Sequence, residues 1–160
     1  MLEKQTTIPG GKWITALCAA LAVAAVAPRS AAAQSGEQIY TTRCAACHQA
    51  DANGLPNMFP PLAGSEWVNG DAGRAIKILL HGLEGDVEVK GETFNGVMPP
   101  WGAAMSDSEI AAVLTYVRSH FGNKSDAVTA AQVAKLRAAT ASRKTPWTVK
   151  ELSLSAAPQK

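Results

Sequence analysis

Apolar residues recur along this chain in several distinct ways, and each predicts a different element. Ile14 to Val26 is an unbroken run of thirteen uncharged, mostly apolar residues with no period. Behind Asp71 the apolar positions Ile76, Leu79 and Leu80 return at helical spacing and stop at Gly82, which predicts a helix capped by the aspartate. Ser106-Asp-Ser-Glu109 reads as a capping box, with Ile110, Val113, Leu114 and Val117 forming the stripe behind it up to Phe121-Gly122. Ser35-Gly36-Glu37 opens a short helix through Ile39 and Tyr40 into Cys44, and Thr129-Ala-Ala-Gln132 offers a second capping box ahead of Val133 and Leu136. Val87 to Phe94 alternates around Lys90-Gly91 and predicts a small hairpin. The stretches Gly54 to Gly70 and Gly96 to Gly102 are rich in Gly, Pro or Asn and read as ordered loops. Thr145-Pro146 begins a final turn around Trp147 and Leu152.

The first run belongs to an export leader rather than to the fold. Lys4 and Lys12 precede it and Ala31-Ala32-Ala33 follows it, as in a secretory signal with an Ala-x-Ala cleavage site. The run is too short for a comfortable membrane span of roughly twenty residues, and retention as an uncleaved anchor is the alternative. Of the 160 residues, 127 then remain from Gln34. The expected organisation is a signal peptide, 1–33, a single small domain, 34–122, and an extension, 123–160. A cytosolic enzyme, a multi-pass membrane protein and a large two-domain catalyst are excluded on this reading, and the expected location is the periplasm. Cys18 leaves with the signal, and Leu17 before it argues against lipid attachment there.

Cys44 and Cys47 are then the only thiols, too few for a disulfide framework. They stand in Cys44-Ala45-Ala46-Cys47-His48, the attachment signature for one covalent c-type haem. Two thiols a helical turn apart add across the two vinyl groups of a porphyrin, and the following imidazole falls beneath the iron. Thiol–disulfide exchange would want a βαβ pattern, and structural zinc a second pair of Cys or His; neither is visible. An 89-residue domain with long loops is also near the size at which a core alone is marginal, and a porphyrin supplies the missing apolar centre.

The sixth iron position has five candidates: Met58, Met98, Met105, His81 and His120. Met105 precedes the N-cap Ser106 and reads as a hydrophobic staple to Ile110. His81 and His120 suit the C-terminal ends of their helices by charge–dipole attraction. Met58 lies only ten residues beyond His48, in the loop that must first round the haem edge. Met98 stands before Pro99 and Pro100, which fix the backbone just past the sulfur, with Trp101 able to close the loop against solvent; core filler is its ordinary alternative.

The succession Gly36-x-x-x-Tyr40-x-x-x-Cys44-x-x-Cys47-His48, then Phe59-Pro60-Pro61-Leu62-Ala63-Gly64-Ser65, then Phe94-Asn95-Gly96-Val97-Met98-Pro99-Pro100-Trp101, then Tyr116, resembles class I cytochrome c over about 34–124. It is most similar to the small c-type domains fused to copper nitrite reductases or serving as electron-transfer subunits of periplasmic dehydrogenases. The resemblance implies an all-α fold of three to four helices wrapped around the haem, followed by a helical extension. It implies His48 and Met98 as axial ligands, a Pro60 or Pro61 carbonyl accepting the His48 Nδ1 proton, and terminal helices crossing at Gly36, Tyr40 and Tyr116. Phe94 stands where such domains often have Tyr. The expected function is a single-electron carrier working between a redox protein donor and acceptor, either free or as a subunit of a dehydrogenase, oxidase or reductase. No nucleic acid is expected as a partner, and a membrane only transiently or through a membrane-bound one. The chain shows no nucleophile–base constellation elsewhere, so it reads as no enzyme. A haem catalyst or gas sensor with a labile sixth ligand is the rival.

Charge divides the mature chain. Residues 34–122 carry five bases and ten acids, and 123–160 carry seven bases and two acids. Two solvated surfaces would account for this. A tail lying back on the acidic domain would account for it too, with Leu136 and Trp147 as apolar anchors.

Overall fold

The computed structural model describes residues 34–154. The leader, its cleavage site and Cys18 lie outside the described residues, as does Lys160.

The chain opens with α1 (Gly36–Ile39), capped by a reciprocal pair in which Ser35 accepts from the Gln38 N–H and Gln38 accepts from the Ser35 N–H. It continues without a break through a π-helical turn (Tyr40–Cys44) into α2 (Ala45–His48). The extra residue of a π turn rotates the next helical turn about the axis, so the two cysteines and His48 are aimed differently from Ile39 and Tyr40. A long loop leads to the single turn α3 (Glu66–Asn69) and then to α4 (Ala72–His81). Both Asp71 carboxylate oxygens cap α4 by accepting from the N–H groups of Gly73 and Arg74, and Gly82 ends it at φ 83°.

Strands β1 (Leu83–Val89) and β2 (Glu92–Met98) pair antiparallel from Leu83 opposite Met98 to Val89 opposite Glu92. Lys90 and Gly91 turn the chain at φ 55° and 80°, the left-handed pair that a two-residue hairpin loop demands. Helix α5 (Asp107–Ser119) carries the Ser106–Glu109 capping box, and α6 (Ala130–Ala139) carries the Thr129–Gln132 box. Helix α7 (Val149–Leu154) closes the described chain.

The expected all-α class therefore needs correction. Seven α-helical segments, several of a single turn, and one π-helical turn accompany a two-stranded sheet among the described residues. The loop expected from Gly96 begins only at Pro99, because Gly96 to Met98 complete β2. α5 stops at Ser119, short of Phe121, and the loop expected through Gly70 contains α3.

Gly36 explains how α1 meets α5. A Cβ there would stand 2.2 Å from the Ala112 carbonyl oxygen and 2.7 Å from the Tyr116 Cβ, so only glycine allows the helices this close. Tyr40 packs beside that crossing, its ring 5.9 Å from that of Tyr116 and 5.0 Å from that of Phe121. Ile39, Ile76, Ile110, Val113 and Leu114 fill the core, and Val128 and Val133 of the extension are buried in the same cluster. A second, smaller cluster holds Val87, Val89 and Phe94, with Trp67, Leu83 and Val149 against it.

The extension thus lies on the domain. Val133 and Leu152 are fully buried, and such side chains contribute about 1.5–3 kcal/mol each when covered. Arg137 pairs with Asp107 at 2.7 Å and donates to the carbonyls of Gly102 and Met105. Trp147 pairs with β1: its N–H donates to the Gly82 carbonyl and its own carbonyl accepts from the Glu84 N–H. Of the two expected anchors, Trp147 joins the sheet and Leu136 packs partly buried on the main core.

Candidate cofactor site

Two adjoining cavities occupy the space between α2, the 49–65 loop, the hairpin and α5, with about 790 Å³ and about 620 Å³ of empty space. Cys44, His48 and Met98 line both. The larger, on the hairpin side and called outer for that position, is walled by Met58, Phe59, Pro60, Val87, Phe94 and Trp101, among others. The smaller, on the α5 side and called inner, is walled by Leu62, Trp67, Leu79 and residues of α5.

His48 closes α2 and is 8% exposed. Its Nδ1 lies 2.9 Å from the Pro60 carbonyl oxygen. A carbonyl only accepts, so Nδ1 carries the proton and Nε2 keeps its lone pair. Burial lowers the pKa of the imidazole, with the Pro60 hydrogen bond opposing, which favours the neutral ring. Pro60 is delivered by a tight loop: Gly54 donates to the His48 carbonyl at 3.0 Å, and Leu55 and Phe59 bridge. Gly54 adopts φ 67°, and a Cβ there would lie 2.1 Å from the Phe59 oxygen and 2.8 Å from that of Pro60. Tyr40 fastens the start of the loop, its hydroxyl donating to the Gln49 carbonyl at 2.6 Å. Pro61, the alternative acceptor, makes no such bond.

Cys44 and Cys47 are free and partly buried, and both line the outer cavity. Burial pushes the Cys44 thiol up to about 11, against the pull of Arg43. A thiol so held is a poor nucleophile at pH 7, contrary to what disulfide exchange requires. Among the described residues no three or more His, Cys, Asp or Glu cluster as a metal site, so zinc has no ligand set here.

Met98 ends β2 opposite Leu83. The segment after it is pinned to the end of α4, where Trp101 and Gly102 donate to the carbonyls of Leu79 and Leu80. Gly82 passes so near that a Cβ would lie 2.5 Å from the Met98 carbonyl oxygen. Trp101 lines the outer cavity, with the Arg43 guanidinium 5.8 Å from its ring.

The other candidates stand elsewhere. Met105 is 5% exposed in the main core. His81 bonds Thr140 Oγ1 at 2.7 Å, and His120 stacks on Tyr116 at 4.1 Å; neither lines either of these two cavities. Met58 lines the outer cavity but is 58% exposed.

Sequence reasoning passed over two parts of this wall. Trp67 lines the inner cavity, donates to the Glu88 carbonyl and carries Arg74 over its ring at 4.4 Å. Gly85 and Gly96, directly opposite each other in the hairpin, line the outer cavity. Paired glycines in a strand mark where something bulky approaches the backbone, and that was the available signal.

An extended apolar slot, two thiols on one edge and a neutral imidazole held from behind suit a large planar ring attached through its vinyl groups. The cytochrome c family model matches residues 33–121. The chain belongs to the cytochrome c family. It is 44% identical over 112 residues to cytochrome c-552 of Thermus thermophilus, covering 64% of this chain and 84% of that one. It is 35% identical over 115 residues to the cytochrome c subunit of the quinone alcohol dehydrogenase of Gluconacetobacter polyoxogenes, covering 70% of this chain but 24% of the subunit. It is 30% identical over 101 residues to the CcoP subunit of the cbb3-type cytochrome c oxidase of Azospirillum brasilense, covering 59% and 30%. This cytochrome c therefore carries covalently attached haem c, with Cys44 and Cys47 fitting the Cys-x-x-Cys-His attachment motif, and it is an electron carrier.

Proposed function

We propose that this cytochrome carries single electrons with His48 and Met98 as the two axial ligands of the iron. The observation that supports this best is that His48 and Met98, with Cys44, line both cavities, while the other candidate ligands are buried elsewhere or open to water. The haem supplies one-electron iron chemistry, and filling both axial positions leaves it no site for a substrate.

The chain's own residues do the rest. Cys44 and Cys47 hold the ring, and the Pro60 carbonyl fixes the His48 tautomer and orientation, the usual task of a partner behind a ligating imidazole. The pinned segment after Met98 holds the sulfur in place, while Phe94, Val87 and Trp101 keep water from the outer cavity.

The proposal extends to place and partners. Residues 1–33 act as an export leader, 34–122 form the haem domain and 123–160 an extension of it, and the protein works in the periplasm. Its donor and acceptor are redox proteins, as the dehydrogenase and oxidase subunits among its relatives suggest. Among the described residues no helix is long and apolar enough to cross a membrane.

An optical spectrum with an alkaline pyridine haem assay tests the reading. One haem per chain and a weak absorption at the red end of the oxidised spectrum are expected. A high-spin oxidised spectrum would overturn Met98 ligation and favour a haem with an open site.

A further inference from the structure

Arg118 lies on the buried side of α5 and is 5% exposed. Its Nε donates to the Asp126 carbonyl at 3.0 Å, and its Nη1 donates to the carbonyls of Val68 and, at 3.0 Å, Gly70. Arg43, Arg137 and Arg143 each stand within 4 Å of a carboxylate, at Glu109, Asp107 and Glu151. Arg118 makes no such pair among the described residues. Burial lowers its pKa and the charges of Asp126 and Asp71 raise it, yet a guanidinium keeps its proton in proteins.

That environment is costly. A buried ion costs several kcal/mol of desolvation, repaid in part by good hydrogen bonds. A neutral amide could donate to two of these carbonyls without that cost. Arg118 is one of the residues lining the inner cavity, which Cys44, His48 and Met98 also line and whose remaining residues are apolar. Its guanidinium lies behind that apolar surface, on the carbonyls of Val68, Gly70 and Asp126. Among the described residues in that wall, Arg118 alone bears a fixed charge.

We propose that Arg118 is a built-in positive charge behind the haem that raises its reduction potential; this rests on the reading of the chain as an electron carrier. On reduction one electron enters from a donor protein and iron passes from ferric to ferrous. No bond forms or breaks and no proton moves, so the charge of the centre falls by one. A nearby cation favours the less positive state. Surface charges are screened within about 8–10 Å at physiological salt, whereas apolar walls screen a buried one far less.

The experiment is a spectroelectrochemical titration of the holoprotein and of Arg118→Gln and Arg118→Lys, from neutral to alkaline pH. Arg118→Gln should have a lower potential at every pH. Arg118→Lys should match the wild type near neutrality and fall toward the Gln variant as its ammonium loses its proton. Equal shifts in both variants at all pH would assign Arg118 to holding the Val68–Gly70 backbone only and overturn the proposal, as would no shift in either. Should Arg118→Gln not retain haem, Arg118→Lys decides: an offset from wild type that is constant with pH, zero included, overturns it. The red-end absorption of each oxidised protein reports Met98 ligation separately, so a failure of the axial assignment is distinguishable from a failure here.

Discussion

The Pro60 carbonyl oxygen that accepts the His48 Nδ1 proton also stands only 2.8 Å from where a Cβ on Gly54 would lie. Gly54→Ala would put a methyl group 2.1 Å from the Phe59 oxygen at a φ of 67°. The strain alone should cost about 1–3 kcal/mol. Because relief moves the Pro60 carbonyl, the thermal midpoint should fall and the potential should shift with it. A variant that lost stability at unchanged potential would mean that the loop yields away from His48.

Removal of both thiols should be more drastic. Cys44→Ala with Cys47→Ala should abolish haem retention on acid–acetone extraction and leave a largely unfolded chain, since the cavities between α2, the hairpin and α5 have no other filling. Intact mass of the unaltered protein should equal its chain plus one haem. A compact, haem-free double variant would contradict this.

The two methionines ahead of α5 should separate cleanly. Met98→Ala should convert low-spin iron to a form that binds imidazole or azide readily, with a lower potential. Met105→Ala should leave the spectrum alone and cost about 2–5 kcal/mol, as deletion of a buried Met side chain usually does. Azide titration and thermal melts of the pair check both halves.

Acid should loosen the extension before the haem domain. Glu151 accepts from Arg143 at 2.8 Å and from the Thr148 N–H at 2.9 Å, and these bonds, the Arg143 ones foremost, hold its carboxyl at about 2 against an ordinary 4.5. A folded pKa below the unfolded one contributes stability that is complete above pH 4.5 and lost as pH falls toward 2. Hydrogen-exchange protection factors across 147–152, corrected for the intrinsic rate at each pH, should therefore fall over that interval, and Glu151→Gln should weaken that fall. Deleting 125–160 should raise exchange in α4, α5 and β1 while the haem spectrum persists.

Much of this was legible in the residues. The Cys44–His48 motif, the Asp71 cap and the capping boxes at Ser106 and Thr129 depend on neighbours within four positions, so the sequence carries them whole. The hairpin was only half visible because Gly85 and Gly96 blank the alternation on its inner face; Val87 to Phe94 could be read, while Leu83 and Met98 could not. The π turn leaves no mark on the hydrophobic period. Arg118 counted in the sequence only as one of the five bases of 34–122, since its carbonyl partners come from segments on either side of it. Charge arithmetic suggested that the extension lies back on the domain, but the route it takes, through backbone pairing of Trp147 with β1, has no sequence signature.

That pairing joins two distant parts of the chain. Leu83 and Trp147 stand 64 residues apart, so the contact is non-local and adds to the part of the fold that slows its formation. A ribosome releases Trp147 well after the thiols at Cys44 and Cys47. Until it arrives, β1 keeps an unpaired edge and a two-stranded sheet is marginal in water. Leu83, Gly85 and Val87 of β1 line the cavity that holds Cys44 and Cys47, so the extension braces from outside the same strand that walls the cysteines. The same pairing covers an edge that would otherwise be a template for aggregation.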